Sequence, residues 1–280
     1  MRFVKGHGTE NDFVILPDPD GVLDLTAEAV ARLCDRRAGI GADGVLRVVR
    51  TKSAERATGH EGDPAWFDPA WFDAEWFMDY RNADGGIAEM CGNGMRVFAR
   101  YLVDAGLAAP GEWDVATRAG LRRVTLGASG DVSVDMGLPE ILGDGEASLA
   151  GATFQGRRVS VGNPHLACRV DEPVAALDLS RAPGFDPALF PDGVNVEFFR
   201  TVGDRHVEMR VYERGSGETR SCGTGTVAVA AAAALGTTGT SEWTVDVPGG
   251  RVTVTLDGET AHLRGPAVLV AEGETRPGWI

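Results

Sequence analysis

Short runs in which apolar and polar positions alternate dominate the chain, and runs with a helical period interrupt them three times. Arg2–His7 and Phe13–Leu16 read as two strands joined by the polar turn Gly8-Thr9-Glu10-Asn11-Asp12. Asp18-Pro19-Asp20-Gly21 is a turn, and Thr26 caps a predicted helix with Val30, Leu33 and Cys34 on one face and Gly39 at its close. Val45–Val49 and Trp76–Tyr80 are further strands. Met95–Ala105 is the second helical run, with Val97, Phe98, Tyr101 and Leu102 on its apolar side and a stop at Gly106. Beyond a linker at Pro110-Gly111 come strands at Val115–Thr117, Leu121–Leu126 and Val132–Met136. The second half shows the same rhythm: strands Arg158–Val161, Leu166–Val170, Val194–Phe198 and His206–Tyr212, the alanine-rich helical run Thr226–Leu235, and final strands around a hairpin at Asp257-Gly258.

The two later helical runs begin alike. Cys91-Gly92-Asn93-Gly94 precedes one and Cys222-Gly223-Thr224-Gly225 the other, 131 residues further on. Met78-Asp79-Tyr80-Arg81-Asn82 stands before the first cysteine as Met209-Arg210-Val211-Tyr212-Glu213 stands before the second. Asn11 and Asn163 each precede a strand as well, but their distances to the following cysteine are 80 and 59 residues. The surplus of 21 is close to the length of Thr51–Glu75, which reads as an insertion, either a loop grown by tandem duplication or an aromatic lid or interface patch: the Trp-Phe pair occurs three times at five-residue steps, twice inside it and once in the strand that follows. A duplicated fold follows, with a domain boundary expected near residue 115.

Size and charge narrow the class. The 280 residues suit two domains of moderate size, and 43% apolar with 24% charged residues is ordinary for a globular protein. A formal charge of −14 with no dense Lys/Arg cluster argues against nucleic acid and anionic membrane as partners. The chain opens without the apolar stretch of a signal peptide, and the longest apolar run, Val227–Leu235, is too short to span a bilayer, so a cytoplasmic location is expected. Four cysteines in such a chain need not form disulfides, and no Cys/His spacing suggests a metal site. Cys34 and Cys168 read as core positions. The glycine loop Gly39–Gly44 lacks the Lys-Ser/Thr ending of a phosphate loop.

A cysteine at a helix N-terminus has a lowered pKa, because the unpaired N–H groups and the positive end of the macrodipole stabilise the thiolate. The same amides bind a carboxylate, and glycines let it approach the backbone. Two such ends around one carboxylate place a thiol on either side of its α-carbon. One takes the α-proton and the other returns one, which inverts the stereocentre without a cofactor. Paired thiols can instead form a regulatory disulfide in a redox or binding module.

Asn82-Ala83-Asp84-Gly85 leading to Met90-Cys91-Gly92-Asn93-Gly94, and Glu213-Arg214-Gly215-Ser216-Gly217-Glu218-Thr219 leading to Cys222-Gly223-Thr224-Gly225, closely resemble the diaminopimelate epimerase family. Gly8–Phe13, Gly162-Asn163-Pro164-His165 and Gly193-Val194-Asn195 extend the likeness over nearly the whole chain. The resemblance implies cofactor-independent interconversion of LL- and meso-2,6-diaminopimelate in lysine biosynthesis, with no metal. It implies an α/β (α+β) fold of two pseudo-symmetric domains, each a mostly antiparallel sheet or barrel around a central helix, and a homodimer. The first domain would hold residues 1–115 with about 266–280, the last strand returning to it, and the second 116–265. Carried over by motif, Cys91 and Cys222 are the acid/base pair. Asn11, Asn82, Asn163, Asn195, Glu213 and Arg214 line the substrate site, Gly92-Asn93 and Gly223-Thr224 give helix-end contacts, and His165 and Glu213 tune the thiols. Arg214 suits a distal carboxylate. The sequence departs from the family at Gly44, where many relatives have a glutamine that contacts substrate, and in the Thr51–Glu75 insertion. The nearest rival is a two-thiol racemase of the proline racemase type, whose first motif carries histidine where Asn93 stands here.

Overall fold

The computed structural model describes residues 1–60 and 68–279, which form two compact units: Met1–Val134 with Pro266–Ile280, and Asp135–Gly265. Strand is the commonest regular structure of the described chain, which has four α-helices: α1 (Ala27–Cys34), α2 (Ala54–Thr58), α3 (Gly92–Asp104) and α4 (Gly223–Ala233).

In the first unit the strands lie in the order 268–274, 2–8, 11–17, 44–50, 76–82, 111–117, 120–126 and 132–135. Successive pairings run antiparallel, antiparallel, parallel, antiparallel, parallel, antiparallel, antiparallel. In the second unit the order is 140–149, 152–160, 164–169, 195–203, 206–213, 241–247, 250–256 and 261–265. Its seven pairings repeat the same sequence of directions. Each unit inserts its helix between the fifth and sixth strands of its order. Two chains of one topology have therefore been joined, and the outermost strand of the first unit, Val268–Glu274, comes from the far end of the sequence.

Each sheet curls round its helix. Helix α3 touches strands at both ends of its order, from 268–274 to 120–126, and α4 does the same from 152–160 to 261–265. The side chains make this wrapping favourable. Met95, Val97, Phe98, Ala99 and Leu102 of α3 are all fully buried, each large one worth about 1.5–3 kcal/mol by burial. Helix α4 is Gly-Thr-Gly-Thr-Val-Ala-Val-Ala-Ala-Ala-Ala, small enough to be enclosed on nearly every side, with every residue but Thr224 and Ala233 buried.

The unit boundary falls at 134/135 and not near 115. The strands 111–117, 120–126 and 132–135 form a meander that continues the first sheet from strand 76–82, and Val115, Val124 and Leu126 are buried there. Pro110-Gly111 is accordingly the entry to a strand and no interdomain linker. The helices also begin earlier than expected. Gly92-Asn93-Gly94 and Gly223-Thr224-Gly225 are their first turns, entered directly from the cysteines, where a Gly-x-Gly turn ahead of the helical run was expected. The long hairpin Glu140–Leu149 with Ala152–Ser160 has no counterpart in the predicted strands before Arg158.

In the Thr51–Glu75 stretch the first Trp-Phe pair, Trp66-Phe67, lies outside the described residues. The second is built into the unit: Trp71 is 3% exposed and its ring lies 5.2 Å from Phe77 at a tilted angle. Together with Ala54 and Ala57 of α2, Ala74 and Ala116 it forms a small core against strand 76–82. Phe72 remains 72% exposed.

Candidate active site

Cys91 is the N-cap of α3 and Cys222 the N-cap of α4. Each sulfur accepts the N–H of the third helical residue: Gly94 to Cys91 Sγ at 3.3 Å, and Gly225 to Cys222 Sγ at 3.4 Å. This is the cap geometry that serine or aspartate ordinarily provides. The intrahelical ladder starts at Met95 N–H to Cys91 C=O (2.8 Å) and Thr226 N–H to Cys222 C=O (2.9 Å). The amides of Gly92-Asn93 and Gly223-Thr224 precede it, which is where a helix presents N–H groups to an anion.

The first half-site is built on the chain entering strand 11–17 and on α3. Asn11 Oδ1 accepts from Asn93 Nδ2 at 3.2 Å and faces Cys91 Sγ at 3.7 Å, while Asn11 Nδ2 donates to Asp43 at 2.8 Å. Asn93 is itself held: its Oδ1 accepts from Arg96 at 2.6 Å. Arg96, one turn into α3, is fully buried and also donates to Thr9 Oγ1 (3.0 Å) and Pro266 C=O (2.6 Å). Burial lowers its pKa to about 10, and the nearby Cys91 sulfur pulls it back up. A buried cation thus lies close to the Cys91 sulfur. Asn82 ends strand 76–82 with an exposed side chain, in a turn closed by its N–H to Gly86 C=O at 2.9 Å. A side chain at Gly44 has no room. A Cβ there would lie 2.5 Å from Arg81 C=O and 2.7 Å from the Tyr80 ring, so the glutamine of other relatives has no side-chain equivalent here.

The second half-site carries opposite charge. Glu213, at the end of strand 206–213, accepts from Thr219 Oγ1 and from the Cys222 thiol. Burial pushes its carboxyl pKa up. Cys222 is 6% exposed, and its thiol pKa is pushed well up by burial first, then by Glu213 and Glu197. Thr224 Oγ1 lies 3.5 Å from the sulfur. His165 is a fully buried strand residue with Nδ1 2.6 Å from Glu197 Oε1 and Nε2 3.0 Å from Asn163 Oδ1. Asn195 is 5% exposed and committed to the backbone: it donates to Pro164 C=O (3.2 Å) and accepts the Arg214 N–H (3.0 Å). It ties the Asn163 and Glu213-Arg214 segments together. The Arg214 guanidinium is exposed, steadied by Asp192 C=O at 2.9 Å. Its stem packs on Gly193, where a Cβ would meet Arg214 Cδ at 3.0 Å and the backbone has φ +82°.

Sequence reasoning missed Arg96 and Glu197. Both are charged residues inside apolar runs, the one signal that could have drawn attention to them. Cys34 and Cys168 are buried in separate cores, where desolvation pushes each thiol up to about 12. Cys34→Ala and Cys168→Ala should each cost about 1–2 kcal/mol in stability and leave turnover within about twofold, as denaturant melts and steady-state rates would report. Among the described residues no cluster of His, Cys, Asp and Glu is arranged to hold a metal, and no helix is long and apolar enough to cross a membrane.

Comparison with known proteins adds the following. The family model described as diaminopimelate epimerase matches residues 3–142 and 157–275. The diaminopimelate epimerase of Thermobifida fusca is 61% identical over 99% of this chain and 98% of its own. Among solved structures, a PhzF-family phenazine biosynthesis protein of Bacillus anthracis superposes with a TM-score of 0.67 at 16% identity, covering 99% of each chain. A hydroxyproline epimerase of Agrobacterium vitis superposes with a TM-score of 0.65 at 17% identity, covering 98% of this chain and 91% of that one. The last two likenesses are of fold.

Proposed function

Since the chain belongs to the diaminopimelate epimerase family, we propose that Cys91 and Cys222 are its acid/base pair and that the residues around them bind the substrate. The protein is an isomerase that interconverts LL- and meso-2,6-diaminopimelate, a step of lysine biosynthesis. The family match supports this substrate over the proline type, to which the likeness is of fold alone.

The observation that carries the assignment is that both thiols occupy the N-cap of the central helix in units of identical strand topology. The first-turn amides of Gly92-Asn93 and those of Gly223-Thr224 each offer a carboxylate free N–H groups and the positive end of a helix dipole, which also stabilises the negative charge that develops as the α-proton leaves. Cys91, near the buried Arg96 cation, rests as the base. Cys222, near two carboxyls, rests as the acid. After one turnover their protonation is exchanged, and the reverse reaction uses them in opposite roles. Asn11, Asn82 and Asn163 donate to or accept from the ligand, Glu213 with them receives an ammonium, and Arg214 takes the distal carboxylate bidentately. Asn195 serves the site by holding the backbone on either side of it. A cytoplasmic homodimer is the assembly we infer, on family resemblance, and light scattering of the purified protein tests it.

The deciding experiment is α-proton exchange in deuterated water without added pyridoxal phosphate or metal. Exchange is expected with LL-diaminopimelate and little with proline. Equal rates on both would overturn the substrate assignment.

A further inference from the structure

We propose that Glu197 is a positioning residue of the second half-site, acting through His165 to fix the side-chain amide of Asn163. The proposal rests on the reading that Asn163 contacts substrate.

Both ring nitrogens of His165 face oxygen atoms: Nδ1 faces Glu197 Oε1 at 2.6 Å and Nε2 faces Asn163 Oδ1 at 3.0 Å. The bond to Asn163 requires a proton on Nε2, because an amide oxygen only accepts. The short contact to Glu197 requires a second proton, on Nδ1 or on the carboxyl. The couple thus holds two protons and is neutral as a whole, either as imidazolium and carboxylate or as imidazole and carboxylic acid. Neutrality is what a site with both side chains 0% exposed demands. Burial also pushes the Glu197 carboxyl pKa up, against His165 and the backbone N–H groups of Leu166 and Glu197, which favour the charged form. The titratable groups nearest the couple are Cys168, Glu213 and Cys222. With Nε2–H committed to Oδ1, Asn163 turns its NH₂ group away from the ring as a donor for the ligand.

The other unit shows that this couple is not needed to fill space. His165 stands opposite Asn195 in a parallel strand pair, with Glu197 two residues on. Phe13 stands opposite Gly44 in the matching pair of the first unit, with Leu46 two residues on. Under the first turn of α3, a Cβ on Gly94 would meet Leu46 at 3.1 Å and Phe13 at 3.4 Å. Under the first turn of α4, a Cβ on Gly225 would meet the Glu197 carboxyl at 2.6 Å. An apolar pair suffices in one unit, and a buried acid with a histidine stands in the other, where an apolar pair would cost less. The first unit holds the matching asparagine by another route. Asn11 Oδ1 is bonded by Asn93 Nδ2, and Asn93 Oδ1 by Arg96. In both units a buried charged or ionisable residue, two links back, engages the oxygen of the asparagine that opens the strand. What the halves share is the fixed amide, while the means differ.

The test combines kinetics with nuclear magnetic resonance on the intact protein. Glu197→Leu installs the residue of the first unit and removes the partner of Nδ1. It should raise KM for diaminopimelate by roughly tenfold, with kcat changed by less than about threefold. Glu197→Gln can donate its amide N–H to Nδ1, which keeps the proton on Nε2, so its KM should stay within about threefold of wild type. In an Asn163→Ala background, Glu197→Leu should have no further effect on KM, since the two act in series. Long-range ¹⁵N–¹H spectra of histidine-labelled protein read the couple without any assay: Nε2 of His165 should remain protonated from pH 6 to pH 9 in wild type and become free to exchange tautomers in Glu197→Leu. The proposal fails if His165 titrates in wild type as an ordinary imidazole, if the Glu197→Leu and Asn163→Ala effects on KM add, or if Glu197→Leu lowers kcat alone. Absence of epimerase activity in the wild type would instead overturn the functional reading, and the resonance result would still decide the relay.

Discussion

Cys222→Ala should lower the interconversion of LL- and meso-diaminopimelate by at least about 10²–10⁴-fold, the range that one positioned acid or base supplies. Inversion needs a proton removed from one face of the α-carbon and a proton delivered to the other. On the proposed assignment Cys222 is the proton donor, its thiol pKa pushed up first by burial and then by Glu213, so its deletion removes that donor. On the same assignment Cys91 remains as the base. The variant should therefore still exchange the α-proton of the one isomer that presents it to Cys91, with retention of configuration, while the other isomer stays inert. Cys91→Ala should show the mirror image, inert toward the first isomer. Chiral chromatography combined with deuterium incorporation distinguishes these outcomes. Equal exchange of both isomers by either single variant would mean that the two thiols do not divide the faces between them. Neither change should unfold the protein, because an N-cap replaced by alanine costs about 0.5–2 kcal/mol.

The largest stability effect is expected at a buried ion cluster of the first unit. Asp79 is fully buried in strand 76–82, with Arg118 at 2.7 Å, Arg81 at 2.9 Å and Arg47 at 3.7 Å. Arg47 is itself 1% exposed and bonded to Asp18 at 2.5 Å. Asp79→Ala leaves these guanidinium groups without their central anion and should cost about 3–5 kcal/mol, the usual penalty for breaking a buried pair by removing one member. Burial alone would raise the Asp79 pKa, but Arg118 and Arg81 outweigh it and the net shift is downward. The sign follows: a carboxyl with a lowered folded pKa contributes stability above its unfolded value near 3.9 and loses it as pH falls through the folded value. Urea melts should show wild type losing stability below about pH 4, with a smaller loss for Asp79→Asn. A wild-type acid limb matched by the variant would assign acid unfolding to other carboxyls.

How far these features could be read in advance depended on whether they were local. The paired cysteines, their matched approaches and the apolar faces of the two central helices recur at short spacing, so periodicity and repetition exposed them. The start of α3 was hidden by Gly92 and Gly94, which lower helix propensity but are needed at the cap. The hairpin over 140–160 was hidden because its apolar positions, Ala147, Leu149, Phe154 and Val159 among them, are spaced out by glycines and charged residues on a largely exposed pair of strands. The boundary at 134/135 was hidden because a meander looks the same whichever sheet it continues. The couple of His165 and Glu197 could not be seen at all: 32 residues separate them, and only the parallel register of two strands makes them diagonal neighbours. Arg96 is similar, since a charged residue on a helix reads as solvated until the sheet has closed over it.

The strand Val268–Glu274 has a bearing on biosynthesis. A chain leaving the ribosome normally folds its domains in order of synthesis. Here the second unit, residues 135–265, is complete in sequence before the first, whose edge partner for strand 2–8 is made after it. Nascent protein stalled near residue 265 would thus carry one finished unit and one with an open sheet edge. In that interval the early-made half depends on chaperones or on speed of elongation to avoid pairing its exposed strand with a neighbour.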